Sequence, residues 1–354
     1  MRRVIARNQL ADARGTGSTL ANSTGTSAKR GAIVGHDVAA TSIQLDDLDR
    51  ALIEKLRHDG RAGNRSLAAD LNVNEVTISA RLRRLEDAGV MRVVAITDIR
   101  LFGHREFAFA MVKVVGRSVR AVAADFAKLP ESIGVTICTG RFDIIVPILG
   151  RDRVHIADLF GNVLPKIRGV SEVQGSMALD VLKYDSKWSL FSVDPGTTPR
   201  AQESDTVDQM DLAIIALLQQ NARRSNRQIA AELGVSEGTV RVRVKRMLAD
   251  RVFRIQAVSD IVVSGIGAHA YLFISAAPGK VNDVAKTLAR RDDVAQVTRV
   301  LDRFDLIAVL LSPDRPTLIN SILDEIAQSP GVRRTETLDS VATLKHTYAW
   351  TWIV

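Results

Sequence analysis

Two segments of the chain combine an apolar helix face with short and basic side chains on the opposite face. In the first segment Ile78, Leu82 and Leu85 recur at the i, i+4, i+7 spacing of a buried helix face. The other face would then be exposed, and its short side chains would let arginine and lysine reach the base edges or phosphates of DNA. The residues assigned to this contact are Asn74, Val76, Thr77, Ser79, Ala80, Arg83 and Arg84 in the first segment, and Ser236, Gly238, Thr239, Arg241, Val242, Lys245 and Arg246 in the second. A small helical bundle with a solvated basic face is the alternative interpretation.

The helix in each segment is predicted to be the third helix of a winged-type helix-turn-helix. Ahead of it, "LDDLDRALIEKLRHDG" places apolar residues on one helical face, and "RSLAADL" forms a short second helix. Asn74 and Ser236 can act as N-caps of the two third helices, and Gly89 suits the end of the first of them. Such a unit can read DNA because its last helix buries one face and lays the other in the major groove.

The whole arrangement is written twice, with an offset of 162 residues between the copies. At this offset the following residues coincide: Asp49 with Asp211, Arg81 with Arg243, Arg84 with Arg246, "RFD" at 141–143 with "RFD" at 303–305, and Lys183 with Lys345. The offset holds without a gap, so the chain is an internal duplication of one unit.

The second part of each unit is predicted to be a βαββαβ, ferredoxin-like domain. In the first unit the elements are a strand over 107–115, a helix over 119–129, the two strands "GVTICTG" and "DIIVPIL", a helix over 153–167, and the segment "VSEVQGSMALDVLKY", which ends in a strand. The fold class is therefore α+β, with two repeats that each join a three-helix head to a ferredoxin-like domain.

The predicted domain limits follow from this reading. They are a disordered tail over 1–44, a first helix-turn-helix over 45–98, a first ferredoxin-like domain over 104–191, a linker over 192–206, a second helix-turn-helix over 207–260 and a second ferredoxin-like domain over 266–354. The tail is rich in Gly, Ser, Thr and Ala, and the linker "SVDPGTTPRAQESDT" has the composition of an exposed tether.

Composition narrows the possible partners. The 354 residues carry a net charge of +8, which favours a polyanionic partner. The first head, 45–95, has nine basic and nine acidic residues, whereas the second, 207–257, has nine basic and five acidic residues.

Cys138 is the single cysteine and the six histidines are scattered, so we expect no disulfide, no metal site and no cofactor. Without a membrane-length apolar run or a signal peptide, the chain is expected to be a soluble cytoplasmic protein.

The order of these motifs resembles the Lrp/AsnC (feast/famine) transcriptional regulators. The resemblance rests on "LDRALIEKLRHDGR", "SLAADLNVNEVTISARLRRLEDAGVM" and "TGRFDIIV", and it covers about 48–184 and about 210–346. It implies that the ferredoxin-like domains sense a small effector, usually an amino acid, and pair through their sheets, often within larger homo-oligomers.

The resemblance also implies an effector site near the turn between the third and fourth strands. The candidate residues are Thr139, Gly140, Arg141, Phe142 and Asp143. A glycine admits a ligand backbone closely, and an arginine with an aspartate can meet the two charges of a zwitterion. A tight turn without a ligand is the alternative, and in the second unit Asp302 replaces the glycine.

Two units in one chain permit two kinds of pairing. The chain could form its own pseudo-dimer and read an asymmetric operator, or two chains could pair like unit with like unit. A low-specificity DNA-compacting protein is a further alternative. Sirohaem decarboxylases resemble the same fold, and their resemblance predicts a histidine after the third strand. Since "TICTGRFDIIV" has none, we expect no enzyme activity.

Overall fold

The computed structural model describes residues 44–98, 105–184, 207–259, 266–346 and 350–351. Residues 1–43 of the predicted tail and the whole predicted linker, 192–206, lie outside the described residues. Within the described ranges, no helix is long and apolar enough to cross a membrane.

Both units have the predicted three helices and βαββαβ order. Unit 1 contains α1 (Asp47–His58), α2 (Asn64–Asp70), α3 (Glu75–Asp87), β1 (Met91–Asp98), β2 (Glu106–Val114), α4 (Val119–Lys128), β3 (Gly134–Thr139), β4 (Ile144–Gly150), α5 (Arg153–Asp158) and β5 (Val170–Tyr184). Unit 2 contains α6 (Gln209–Gln220), α7 (Asn226–Leu233), α8 (Glu237–Ala249), β6 (Phe253–Ser259), β7 (Ala268–Ala276), α9 (Val281–Ala289), β8 (Val294–Leu301), β9 (Leu306–Ser312), α10 (Arg315–Asn320), β10 (Val332–His346) and the short β11 (Trp350–Thr351).

Side-chain caps fix where the helices of each head begin. The predicted caps of the third helices are confirmed: the Asn74 side chain accepts a hydrogen bond from the backbone N–H of Thr77 at 2.7 Å, and Ser236 accepts one from Thr239 at 3.0 Å. Gly89 takes a φ of 68° just after α3, the left-handed conformation that suits a glycine after a helix.

Two stretches of unit 1 differ from their predicted secondary structure. The predicted helix over 153–167 is α-helical only to Asp158; a π-helical turn over Leu159–Val163 and a 3-10 turn over Leu164–Lys166 follow. Pro165 lies in the last turn and has no backbone N–H with which to continue the helix. The end of the head predicted over 45–98 is not helical, because 91–98 forms β1, which pairs antiparallel with β6 of unit 2.

The two ferredoxin-like sheets close into one barrel. The strand order is β10-β3-β4-β2-β5-β8-β9-β7, and β7 returns to β10. Unit 1 supplies four consecutive strands and unit 2 the other four, so the units meet at two places: seam A, where β3 pairs with β10, and seam B, where β5 pairs with β8. Side chains from both units fill the interior, including Phe109, Phe142, Phe273 and Phe304.

The helices of the ferredoxin-like domains cover the other face of each sheet. Val122 and Phe126 of α4 pack with Ile144 and Val146 of β4 in unit 1, and α9 and α10 contribute to the matching core of unit 2. Each sheet is therefore buried on both faces, which explains why β4 and β9 read as continuous apolar runs.

Candidate nucleic-acid interface and effector loops

The exposed faces of α3 and α8 are the candidate nucleic-acid interface. Ile78, Leu82 and Leu85 are buried, as the apolar spacing predicts. On the opposite face Val76 is 77% exposed and Val242 of α8 is 67% exposed. The other predicted contact residues with exposed positions are Asn74, Ser79, Ala80, Arg83, Arg84, Ser236, Thr239, Arg241 and Lys245, and Thr77, Gly238 and Arg246 are partly exposed.

A buried carboxylate anchors α3 to α1, and an equivalent one anchors α8 to α6. Asp49 is fully buried; it accepts a hydrogen bond from Arg81 Nη1 at 3.0 Å and is ion-paired with Arg84. Asp211 is buried in the same way, and it accepts from Arg243 at 2.9 Å and pairs with Arg246. In the sequence, the signal for this structural role is that the aspartate and both arginines coincide between the two repeats. The guanidinium groups of Arg84 and Arg246, predicted to contact DNA, are engaged by these carboxylates.

The predicted contact residues at the start of each third helix also have structural partners. Asn74 and Ser236 cap their helices, and the hydroxyls of Thr77 and Thr239 hydrogen-bond to those caps at 2.9 and 2.8 Å. Ser79 accepts a hydrogen bond from the Asn64 amide of α2 at 2.8 Å. These bonds fix the polar side chains of the helix N-terminus, which leaves Arg83, Arg241 and Lys245 as the basic groups without such a role in the frame.

The two heads share one apolar core and exchange arginine contacts. Arg61 donates to the backbone carbonyls of Ala222 and Arg224 at 3.2 Å each, and Arg223 donates to those of Gly60 and Ala62 at 3.3 and 3.2 Å. Burial, and then the positive charge of Arg223, lower the pKa of Arg61. A Cβ at Gly60 would lie 2.7 Å from the Cα of Gln256, so glycine allows this close approach. Because of these contacts, α3 and α8 are held at a fixed spacing.

The candidate effector turn of unit 1 lies at the end of seam A. Thr139, Gly140 and Arg141 are exposed, whereas Phe142 is buried in the barrel interior. The Arg141 guanidinium lies 5.3 Å from the centre of the Phe142 ring. Gly140 has a φ of 136°, and a Cβ there would lie 2.9 Å from the carbonyl oxygen of Thr337 in β10.

Asp143 has partners within unit 1. Its carboxylate accepts hydrogen bonds from the Val114 backbone N–H at 2.8 Å and from Lys113 Nζ at 3.0 Å. Asp305 accepts the equivalent bond from Ala276 in unit 2 at 2.8 Å. The aspartate thus holds the end of the first strand of each sheet. Arg141 and Asp143 were expected to bind the two charges of a zwitterion together, but Arg141 lies over the Phe142 ring and Asp143 is bonded to Lys113 and Val114.

The matching turn of unit 2 is occupied by side chains. Asp302 takes the place of Gly140, and both of its carboxylate oxygens accept from Gln174 of β5 at 3.2 Å. Arg303 donates to Glu336 of β10 at 2.5 Å and stacks on Phe304 at 4.6 Å. The turn of unit 2 thus carries a hydrogen-bonded carboxylate where the turn of unit 1 has Gly140.

Comparison with known protein families matches the helical head and the ferredoxin-like domain of each unit. The AsnC-type helix-turn-helix domain matches residues 45–86 and 207–248, and the Lrp/AsnC ligand binding domain matches residues 107–188 and 269–350. Together these matches cover well over half of the chain. The chain belongs to the Lrp/AsnC family.

Individual relatives of this Lrp/AsnC chain correspond to one of its units. HTH-type transcriptional regulator FL11 of Pyrococcus horikoshii is 33% identical over 142 residues, which is 40% of this chain and 91% of the relative. FL11 of Pyrococcus furiosus is 31% identical over 140 residues, 39% of this chain and 90% of the relative. The chain is therefore equivalent in length to two such regulators joined in tandem.

One solved structure is similar over both units. The siroheme decarboxylase NirDL superposes with a TM-score of 0.59 and 15% identity, over 85% of this chain and 93% of that chain. At this identity the likeness shows the shared fold.

The lone cysteine of the chain is part of the barrel core. Cys138 is buried in the barrel interior, and burial raises the pKa of its thiol to about 12. The thiol is therefore protonated at neutral pH in the folded chain. Within the described ranges, no cluster of three or more His, Cys, Asp or Glu side chains has the arrangement of a metal site.

Proposed function

We propose that this Lrp/AsnC protein is a transcriptional regulator in which one polypeptide supplies both heads of a DNA-binding pair. The observation that carries the proposal is the single apolar core that α1–α3 and α6–α8 share, reinforced by the reciprocal bonds of Arg61 and Arg223. A fixed pair of third helices suits two half-sites about one helical turn apart, or a multiple of it.

The second head contributes more to affinity in this proposal. Its exposed face carries Arg241 and Lys245, where the first head has Ser79 and Arg83 at the equivalent positions. The second head also has four fewer acidic residues, which favours contact with phosphates. Since the exposed faces differ, the two half-sites are expected to differ, and the operator to be asymmetric.

The effector in this proposal is an amino acid or a similar small molecule at the turn of unit 1. Support comes from the matched ligand-binding domain and from the exposed Thr139, Gly140 and Arg141. Phe142 and Asp143 would then support the turn from behind rather than touch the ligand. The turn of unit 2 is proposed to bind no effector, because the Asp302–Gln174 bond fills it.

Selection from fragmented genomic DNA at physiological salt, followed by sequencing, tests the function. We expect discrete sites with two non-identical half-sites. Repeating the selection with Arg241→Ser, which installs the residue found at position 79, should weaken the preference in one half-site and leave the other unchanged. Recovery of perfect palindromes would contradict the asymmetric operator, and broad recovery without a motif would favour a DNA-compacting role.

We infer regulation rather than decarboxylation for this chain. The likeness to siroheme decarboxylase NirDL is one of fold, and the turns after β3 and β8 read "TGRFD" and "LDRFD", with no histidine. Absorption by a haem-like pigment in the purified protein, or binding of an iron porphyrin with a visible spectral change, would contradict this inference.

A further inference from the structure

The two seams of the barrel occupy equivalent positions but differ in chemistry. Seam A and its flanking strand β7 carry polar side chains, namely Thr136, Cys138, His269, Tyr271, Ser340 and Thr343. The residues 162 positions away that line seam B are Thr298, Val300, Phe107, Phe109, Ala178 and Val181. Five of the six polar positions of seam A are thus apolar in seam B.

The polar side chains of seam A bond to one another across the two units. Thr136 Oγ1 of β3 lies 3.4 Å from Thr343 Oγ1 of β10, and Thr343 Oγ1 lies 3.4 Å from His269 Nε2. The Cys138 thiol donates to the carbonyl oxygen of Thr136 at 3.6 Å, and Ser340 lies directly opposite Cys138 on β10. The contacts of Thr136, Thr343 and His269 thus link β3 of unit 1 with β10 and β7 of unit 2.

The turns at the ends of the seams differ in the space they leave for a side chain. A Cβ at Gly140 would lie 2.9 Å from the carbonyl oxygen of Thr337 and 3.0 Å from Leu338 Cδ2, so seam A has room for no side chain at this point. At the equivalent place in seam B the Asp302 side chain is present and accepts hydrogen bonds from Gln174, and Ser176 takes the position of Leu338. The turn that carries a side chain thus faces the strand with the smaller residue at this position.

Pairing between like units would bring mismatched groups together. If two copies of unit 2 paired, Asp302 would take the place of Gly140 against Thr337, where a Cβ does not fit. Its carboxylate would also face Glu336 instead of Gln174, since these residues are equivalent. Two like charges would then meet where seam B has a hydrogen bond.

We propose that the seams select a unit 1 surface for a unit 2 surface, so that the chain pairs with itself and excludes pairing of like units between chains. The selection lies in the two surfaces and not only in their covalent connection. A tether raises the effective concentration of either surface, but it does not make Gly140 fit Thr337 or Asp302 fit Gln174.

A single engineered cysteine reports which surfaces meet. Cys138 is the chain's single cysteine and its opposite residue is Ser340, so Ser340→Cys creates one cysteine pair across seam A. After treatment of the full chain with a mild thiol oxidant, we expect a disulfide within one chain, seen as a faster monomer on a non-reducing gel and located by mass spectrometry. A 138–340 disulfide that joins two different chains would overturn the proposal.

The matched control is Ala178→Cys, because residue 178 would lie opposite Cys138 only if two copies of unit 1 paired. We expect no covalent dimer from this variant. A dimer linked through positions 138 and 178 would demonstrate pairing of like units and would overturn the proposal.

A second set of variants distinguishes the effect of the seam residues from the effect of the linker, because the linker is the same in every variant. In the Ser340→Cys background, Gly140→Asp should lower the yield of the disulfide about tenfold, since it adds both the clash and the charge. Adding Glu336→Gln, the residue of seam B, removes the like charge and should restore part of the yield. Asp302→Gly should change it little. A full yield from Gly140→Asp, or no recovery on adding Glu336→Gln, would show that these residues do not select the partner.

Discussion

Unit 1 and unit 2 have the same residues where the helices of each head are anchored to one another. They have different residues on the exposed faces of their third helices. The buried Asp49 and Asp211 have the same two arginine partners at the same spacing. By contrast, Ser79 and Arg241 occupy equivalent positions on the exposed faces of α3 and α8. Comparison of the two units thus distinguishes residues that each head needs for folding from residues that would give each head its own binding preference.

Removal of the buried carboxylate is the strongest test of the shared frame. Asp211→Ala leaves two arginines without their anion and removes half of the capping box with Asp208, so we expect the free energy of unfolding to fall by about 2–4 kcal/mol. Asp49→Ala should have a similar effect. Urea unfolding measures both, and a large loss in one head with almost none in the other would break the comparison.

His269, beside seam A, is expected to make the free energy of unfolding depend on pH in the acid range. Burial, with a smaller effect from His346, lowers the pKa of His269 to about 4. The unfolded chain therefore binds this proton first, and stability that is complete above about pH 6.5 is lost as the pH falls toward 4. The loss should be about 2–3 kcal/mol. His269→Phe, which copies Phe107, should reduce this loss in unfolding measured at pH 7 and pH 4.5.

The reciprocal variant sharpens the result for His269. Phe107→His places a histidine on β2 beside seam B, where Val181 occupies the position of Thr343 and offers no hydroxyl. We expect this variant to lose more stability than the wild type over the same pH range. If Phe107→His and the wild type lost the same stability over this pH range, the barrel interior would tolerate charge equally beside both seams.

The charge difference between the heads predicts different responses to salt. Arg241→Ser should weaken binding to the selected operator about fivefold to tenfold, and reduce the slope of log affinity against log salt by about one. Ser79→Arg should have the opposite effect through the first head. Fluorescence anisotropy over a salt series measures both slopes, and equal slopes for all three proteins would exclude phosphate contact by these positions.

The smallest expected effect concerns the end of each third helix. Gly89 and Arg251 occupy equivalent positions, and both have a positive φ, 68° and 57°. Because a side chain is strained there, Arg251→Gly should raise the free energy of unfolding by about 0.5 kcal/mol. Gly89→Ala should lower it by about 1 kcal/mol. Thermal unfolding checks the signs; a loss of stability in Arg251→Gly would mean that its side chain makes an offsetting contact.

Local pattern was sufficient to predict the helices, the strands of each sheet and the caps at Asn74 and Ser236. It was insufficient for β1, since that strand pairs with β6 of the other unit about 160 residues away. The same limit applies to the candidate sites. Arg84 has the position of a DNA contact on its own helix, but its partner Asp49 lies 35 residues earlier. Asp143 likewise has the spacing of a ligand residue, while its partners come from the end of β2.

Closure of the barrel places a demand on the order of synthesis. β3 ends at Thr139, but the strand that covers it, β10, begins at Val332. At ordinary rates of translation, the nascent sheet of unit 1 has an uncovered edge for about ten to forty seconds before its partner leaves the ribosome. An exposed strand edge is a template for aggregation. The yield of folded protein should therefore depend on translation speed and on chaperones that shield β3 during this interval.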